Sequence, residues 1–281
     1  MVRAMNTSRT LNYGGCALSY RVWGDGPPVV FIQGTGVQGD GWQTQTSELS
    51  SGYRCLTFDN RGMGLSQPPD PQLSVDQMAA DVQALMDAEG WHSAHIVGHS
   101  LGGLIALNFA LNHRDRILSL ALLCTFADGK VPVRLSGQVI WVGLRIMVGS
   151  RAQRRSAFLE MVMPAGILAR SNRAELAVTY AQTFGHDLAD QPPVVRGQLA
   201  AMRGYDATPR LDELAGVRTL VVSASEDMLA PPWAGRALAE GIPGARFVEI
   251  PNAAHALPVH SPGLVNALLK EHLSPEAGRA S

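Results

Sequence analysis

A serine with glycine two residues away on either side stands in Ile96-Val97-Gly98-His99-Ser100-Leu101-Gly102-Gly103, after an apolar strand-like run and before a helical one. In a sharp strand-to-helix turn such a serine projects its hydroxyl from a strained backbone, and the glycines leave room where the chain crosses itself. The chemistry open to it is attack on a carbonyl carbon. With 29 glycines among 281 residues the string alone is weak, and its strand-turn-helix setting is what gives it weight. A serine hydroxyl is a poor nucleophile near neutrality, so it needs a base, and the base needs a carboxylate to orient it. Two later segments offer both, in the order acid then histidine that accompanies this kind of turn. Ser225-Glu226-Asp227-Met228-Leu229-Ala230-Pro231 follows the strand-like Leu220–Ser223, and Pro251-Asn252-Ala253-Ala254-His255 follows Arg246–Ile250. Both lie just past strand ends, the edge where open α/β sheets collect their ligands.

Positioning these residues takes a sheet, and the chain alternates strand and helix patterns as a mostly parallel sheet flanked by helices does. Strands are predicted at Leu18–Trp23, Val29–Ile32, Tyr53–Asp59, Ala94–Val97, Ile117–Phe126, Thr219–Val222 and Arg246–Ile250. Ser74 with Gln77 reads as a capping box opening an amphipathic helix (Val75, Met78, Ala79, Val82, Leu85, Met86) that Gly90 ends. Further helices are predicted at Leu101–Asn112, around Ala234–Glu240, and after Ser261-Pro262. Between residues 127 and 210 the alternation stops. The pattern there is helical, apart from the ambiguous apolar run Val139–Val148, and reads as an insertion that divides a core made of residues 1–126 and 211–281. The tail after Leu273 is expected to fray.

This layout resembles the α/β-hydrolase family. The acid of that family stands in a Gly-x-x-Asp-x-x-x-Pro loop, which favours Asp227 over Glu226 and Asp128, and its histidine follows the last strand, which favours His255 over His260. Phe58-Asp59-Asn60-Arg61-Gly62-Met63-Gly64-Leu65-Ser66 looks like the family's Asp-x-Arg-Gly-x-Gly-x-Ser loop, in which Asp59, Arg61, Gly62 and Gly64 would shape the loop. The resemblance also implies an oxyanion hole formed by the backbone N–H groups of Thr35 and Leu101, with Gln33-Gly34-Thr35-Gly36 standing where His-Gly-x-Gly is common. Gln33, Ala254 and His260 depart from the family pattern, and none of the three removes a member of the Ser100-Asp227-His255 set. The insertion is then a helical cap, with Trp141, Met161 and Phe184 as pocket residues. His99 is expected to point away from the serine, and Trp42 to pack beneath the oxyanion loop. The function implied is hydrolysis of a carboxylic ester of a small, largely apolar substrate through an acyl-enzyme on Ser100, with a lactone or carbon–carbon bond as the alternative. Dehalogenases and epoxide hydrolases of the fold use an aspartate where Ser100 stands.

Composition narrows the field further. Lys and Arg number 23 against 24 Asp and Glu, a net charge of −1, so nothing favours a nucleic acid or an anionic membrane as partner. With 46% hydrophobic and 17% charged residues the chain buries a sizeable core. Cys16, Cys55 and Cys124 are odd in number and include no Cys-x-x-Cys, which suggests neither a disulfide framework nor a zinc site. No apolar leader run opens the sequence and no membrane span is expected. The reading is a cytoplasmic enzyme with a small-molecule substrate, without metal or cofactor. Two other classes compete. Gly34-Thr35-Gly36-Val37-Gln38-Gly39 matches a dinucleotide fingerprint with Asp59 as ribose acid, but Gln43–Glu48 shows no helical stripe to complete it. A hydrolase-fold receptor without turnover would carry the same motifs.

Overall fold

The computed structural model describes residues 8–70, 72–131 and 137–274; the leader reading at the N-terminus and the fraying expected at the C-terminal tail concern residues outside these. The chain opens on a hairpin, β1 (Arg9–Tyr13) and β2 (Cys16–Trp23), in which Tyr13 faces Cys16 across the two-residue turn Gly14-Gly15. Both glycines have positive φ (52° and 77°), as such a turn demands. The sequence pattern missed β1, whose side chains are mostly exposed and carry no apolar alternation. The Gly-Gly pair was the available signal.

The next elements are β3 (Pro28–Ile32), α1 (Gln43–Leu49), β4 (Arg54–Phe58), α2 (Val75–Ala88), β5 (Ala94–His99), α3 (Leu101–Asn112) and β6 (Ile117–Leu123). Helix α1 corrects the expectation that Gln43–Glu48 is not helical. Its buried face is mostly polar, Gln45 and Thr46 with Leu49 as its one apolar residue, and Gln45 Nε2 donates to the Pro258 carbonyl at 2.8 Å, so no apolar stripe marks it. Ser74 caps α2 by accepting from the Gln77 N–H, whereas the Gln77 side chain turns to Asp81, so only half of the expected capping box forms. Strand β6 stops three residues short of Phe126, where Cys124 takes a positive φ of 46°.

Among the described residues, α4 (Gly137–Met147), α5 (Arg151–Val162), α6 (Ala165–Leu168), α7 (Arg173–Phe184) and α8 (Val195–Arg203) follow, then β7 (Thr219–Ala224), α9 (Pro232–Gly241), β8 (Arg246–Ile250), α10 (Leu257–His260) and α11 (Pro262–Leu273). The ambiguous run Val139–Val148 is therefore mostly helix α4. The two ends of the segment between β6 and β7 meet: Gly129 N–H donates to the Tyr205 carbonyl at 3.0 Å and Ala207 N–H to that of Ala127 at 2.9 Å.

The eight strands form one sheet in the order β1-β2-β4-β3-β5-β6-β7-β8, antiparallel at the first two pairings and parallel thereafter. Its central strands are apolar on both faces because both are covered. Val30, Ile32, Ile96, Leu120, Leu122 and Val221 join a core with α2, α3 and α9, while Val29, Phe31, Val97, Ala121, Leu220 and Val222 join another with α1 and α11. Successive residues of a strand thus feed opposite cores, with the two-residue period of a pleated chain. The three cysteines are buried and unpaired. No helix among the described residues is long and apolar enough to cross a membrane.

Candidate active site

Ser100 sits between β5 and α3 with φ 54° and ψ −121°, a strained conformation for a residue with a Cβ. Its backbone is held from three sides. The Ser100 N–H donates to the Leu123 carbonyl (3.0 Å), and the Ser100 carbonyl accepts from Gly103 N–H (2.9 Å) and from Thr125 Oγ1 (2.7 Å). The flanking glycines are required by packing. A Cβ on Gly98 would lie 2.3 Å from the Gly102 carbonyl oxygen, and one on Gly102 would lie 2.2 Å from that of Ile32. The serine side chain does not cap α3, so the first N–H groups of the helix, Leu101 included, keep their free donor character.

Gly34 lies directly against the serine, since a Cβ there would meet Ser100 Cβ at 3.0 Å, and this brings the Thr35 loop alongside. Neither Thr35 N–H nor Leu101 N–H has a hydrogen-bond partner among the described residues. The loop is braced beneath. Asn60 Nδ2 donates to the Gln33 carbonyl at 2.9 Å, and Trp42, fully buried, lies 5.3 Å from Phe31 and 6.4 Å from His99, ring centre to ring centre.

Asp227 and His255 are brought together from loops that zip onto each other: Ser225 N–H donates to Ile250 O, and Glu226 N–H to Ala253 O. Asp227 is buried. One carboxylate oxygen accepts from the N–H groups of Leu229 and Ala230, both at 2.8 Å, and the other faces His255 Nδ1 at 2.8 Å. Those backbone donors fix the carboxylate and leave one oxygen for the imidazole. Its other neighbour, the Cys124 thiol, is pushed well above its ordinary range by burial. The rival acids face elsewhere. Glu226 Oε2 accepts from the Ala165 N–H at the start of α6, and Asp128 accepts from the Lys130 N–H in its own turn. The rival base His260 lies with Nε2 against the Ala254 backbone and Nδ1 on Ser261 Oγ.

His99 does not simply point away. It is buried, its Nε2 lies 2.8 Å from the His255 carbonyl oxygen, and the two rings stand 4.9 Å apart. Burial pushes its pKa down to about 3, so it is a neutral ring whose Nε2–H donates to that carbonyl. The sequence offered no sign of this role, which spans 156 positions.

Ser100, His255, Thr35 and Gln33 line one cavity of about 520 Å³, whose far wall comes from the segment between β6 and β7. Of the predicted pocket residues, Met161 and Phe184 line it, while Trp141 does not and stands 62% exposed on the outer side of α4. Ile146, Val162 and Val259, which were not singled out, line it as well. Asp59, the acid of the fingerprint reading, has both oxygens engaged by backbone N–H groups, Gly39 at 2.8 Å and Leu65 at 2.9 Å. It staples two loops. Arg61 is likewise buried against Asp81.

The sequence model of the α/β-hydrolase fold matches residues 27–262. A RutD chain of Azorhizobium caulinodans, to which carbamate hydrolysis is ascribed, is 31% identical over 260 residues, 92% of this chain and 95% of that one. Among solved structures, the enol-lactonase of Burkholderia xenovorans LB400 aligns with a TM-score of 0.79 at 27% identity, covering 94% of this chain and 99% of that one. A thermophilic esterase of Thermogutta terrifontis aligns with a TM-score of 0.77 at 26% identity, covering 96% and 98%. In fold, in the order of its motifs and in the extent of these matches, the chain belongs to the α/β-hydrolase fold family.

Proposed function

We propose that the protein is a serine hydrolase that cleaves carboxylic esters of small, largely apolar substrates. The observation that carries the reading is the shared cavity of Ser100 and His255, with Asp227 hydrogen-bonded to His255 on the side away from it. In this scheme His255 takes the Ser100 proton as the hydroxyl attacks the carbonyl, then returns it to the leaving alcohol, and water repeats the sequence on the acyl-enzyme. Asp227 orients the imidazole and stabilises its charged form. The N–H groups of Thr35 and Leu101 receive the oxyanion, and they are free of other partners. The scheme needs no metal or cofactor.

Residues 127–210 serve as the cap. Their two ends meet at the Ala127–Ala207 contact, and their mostly apolar side chains favour an uncharged acyl or alcohol group. The unpaired cysteines support a reducing, cytoplasmic setting. A carbamate or a lactone is the second reading, supported by the RutD and enol-lactonase relatives, because either presents the same carbonyl to the same groups.

Hydrolysis of p-nitrophenyl esters of rising chain length, alongside lactones and carbamates, tests the reading together with labelling by a fluorophosphonate. The expected result is a covalent adduct at Ser100, turnover of esters that fit the cavity, and a loss of about 10⁴-fold or more in kcat for Ser100→Ala. An unlabelled wild-type protein, or a Ser100→Ala variant with wild-type activity, would overturn it.

A further inference from the structure

Gly36 follows the proposed oxyanion donor Thr35 and has φ 72°, in a turn where glycine by itself holds no fixed conformation. Both of its polar backbone groups are nonetheless bonded, and both partners come from the inserted segment. The Gly36 N–H donates to Gln198 Oε1 on α8 at 2.9 Å, and the Gly36 carbonyl faces His186 Nε2 at 2.8 Å. Two residues further on, Gln38 N–H donates to the Phe184 carbonyl and Gln38 Nε2 to that of Gly185, each at 3.2 Å. No core residue among those described bonds to either group of Gly36.

The carriers of these contacts are themselves fixed. Gly185 ends α7 with φ 83°, which turns the chain so that Phe184, Gly185 and His186 all meet the loop. Any side chain at Gly185 would collide with Gln38, at 2.2 Å. Asp187 binds Arg155 and Arg151 of α5 and accepts from its own Ala189 N–H, which anchors the His186 turn to that helix. Gln198 is fully buried although its Nε2 has no partner. A half-satisfied amide in a helix interior costs stability, and the bond from the Gly36 N–H to its Oε1 offsets that cost.

We propose that Gln198 and His186 are positioning residues for the oxyanion site: from the insertion they clamp the peptide groups on both sides of Gly36 and so set the direction of the Thr35 N–H. This rests on the serine-hydrolase reading above. On this view the insertion forms part of the rate-determining geometry besides shaping the substrate pocket, because a donor must be aimed at the developing oxyanion to stabilise it.

The test compares wild type, Gln198→Leu, His186→Leu and His186→Gln in steady-state hydrolysis of p-nitrophenyl butyrate, with thermal unfolding of each. Both leucine variants are expected to lower kcat by about 10- to 100-fold with KM within about twofold, a fraction of the loss on removing a donor outright. His186→Gln, whose carboxamide N–H reaches the same carbonyl, is expected to recover most of that rate. Leucine variants that unfold at lower temperature yet keep wild-type kcat would overturn the proposal, and so would a rise in KM alone. Should Gln198→Leu fail to fold, the half-buried His186 pair carries the comparison. A wild-type protein that neither turns over ester nor accepts a fluorophosphonate would instead overturn the hydrolase reading, whatever the variants do.

Discussion

The imidazole of His99 donates from Nε2 to the backbone carbonyl of His255 at 2.8 Å, so the residue beside the proposed nucleophile holds the residue proposed as its base. The bond joins the end of β5 to the loop after β8, across two intervening strands of the sheet. Fixed by burial in its neutral form, His99 can hold this contact without a titration of its own near neutrality. His99→Leu is expected to lower kcat by as much as about 10²-fold through misplacement of His255, with His99→Gln intermediate because it keeps a donor. Equal kcat in the two variants, measured on one ester, would show that the hydrogen bond is irrelevant.

Asp227 divides its carboxylate between backbone and imidazole. Asp227→Asn can still accept from Leu229 and Ala230 N–H through its carbonyl oxygen, which turns the amide NH₂ toward His255 Nδ1. The histidine must then present a lone pair to that donor, the wrong tautomer for a base at Nε2. A fall of about 10⁴-fold in kcat with an unchanged fold is expected. Rates on an activated ester and a circular dichroism spectrum check both halves.

Two glycines should respond in opposite ways to alanine. At Gly102 the new methyl would stand 2.2 Å from the Ile32 carbonyl oxygen, backbone against backbone, and Gly102→Ala is expected to destabilise by at least about 2–3 kcal/mol. At Gly143, inside α4, a Cβ meets nothing within 4 Å, and Gly143→Ala is expected to stabilise by about 0.5–1 kcal/mol. Urea unfolding of both variants measures the difference.

Stability should fall in mild acid. Burial pushes His95 and His272 from 6.5 down to about 4. Native histidine therefore stays neutral between those values while the unfolded chain takes up protons. The contribution is complete above about pH 6.5 and is lost as pH falls toward 4, at about 1.4 kcal/mol per pH unit for each ring. The carboxyls of Asp59 and Asp81, raised by burial, act in the opposite sense and cancel when a variant is compared with its parent. Urea midpoints from pH 7.5 to 4.5 should drop less steeply for His272→Gln than for the wild type.

Much of the fold was written in local pattern. The parallel strands carry unbroken apolar runs because both faces of the sheet are covered, and Ser74, Gly90 and Pro262 mark helix ends through their own backbone chemistry. The Ser100 turn was legible for the same reason, since its glycines answer to contacts within a few residues, Gly98 against Gly102. Where local pattern failed, the cause was a packed face that is mostly polar or a strand left in solvent: α1 packs through Gln45 and Thr46 with Leu49 alone apolar, and β1 leaves most of its side chains exposed. Only the tertiary structure decided how the loops are aimed. His99 on His255, Gln198 and His186 on Gly36, and Glu226 on Ala165 join positions from 61 to 162 residues apart. Such bonds use single polar atoms and impose no periodicity on the chain, so a sequence determines them without displaying them.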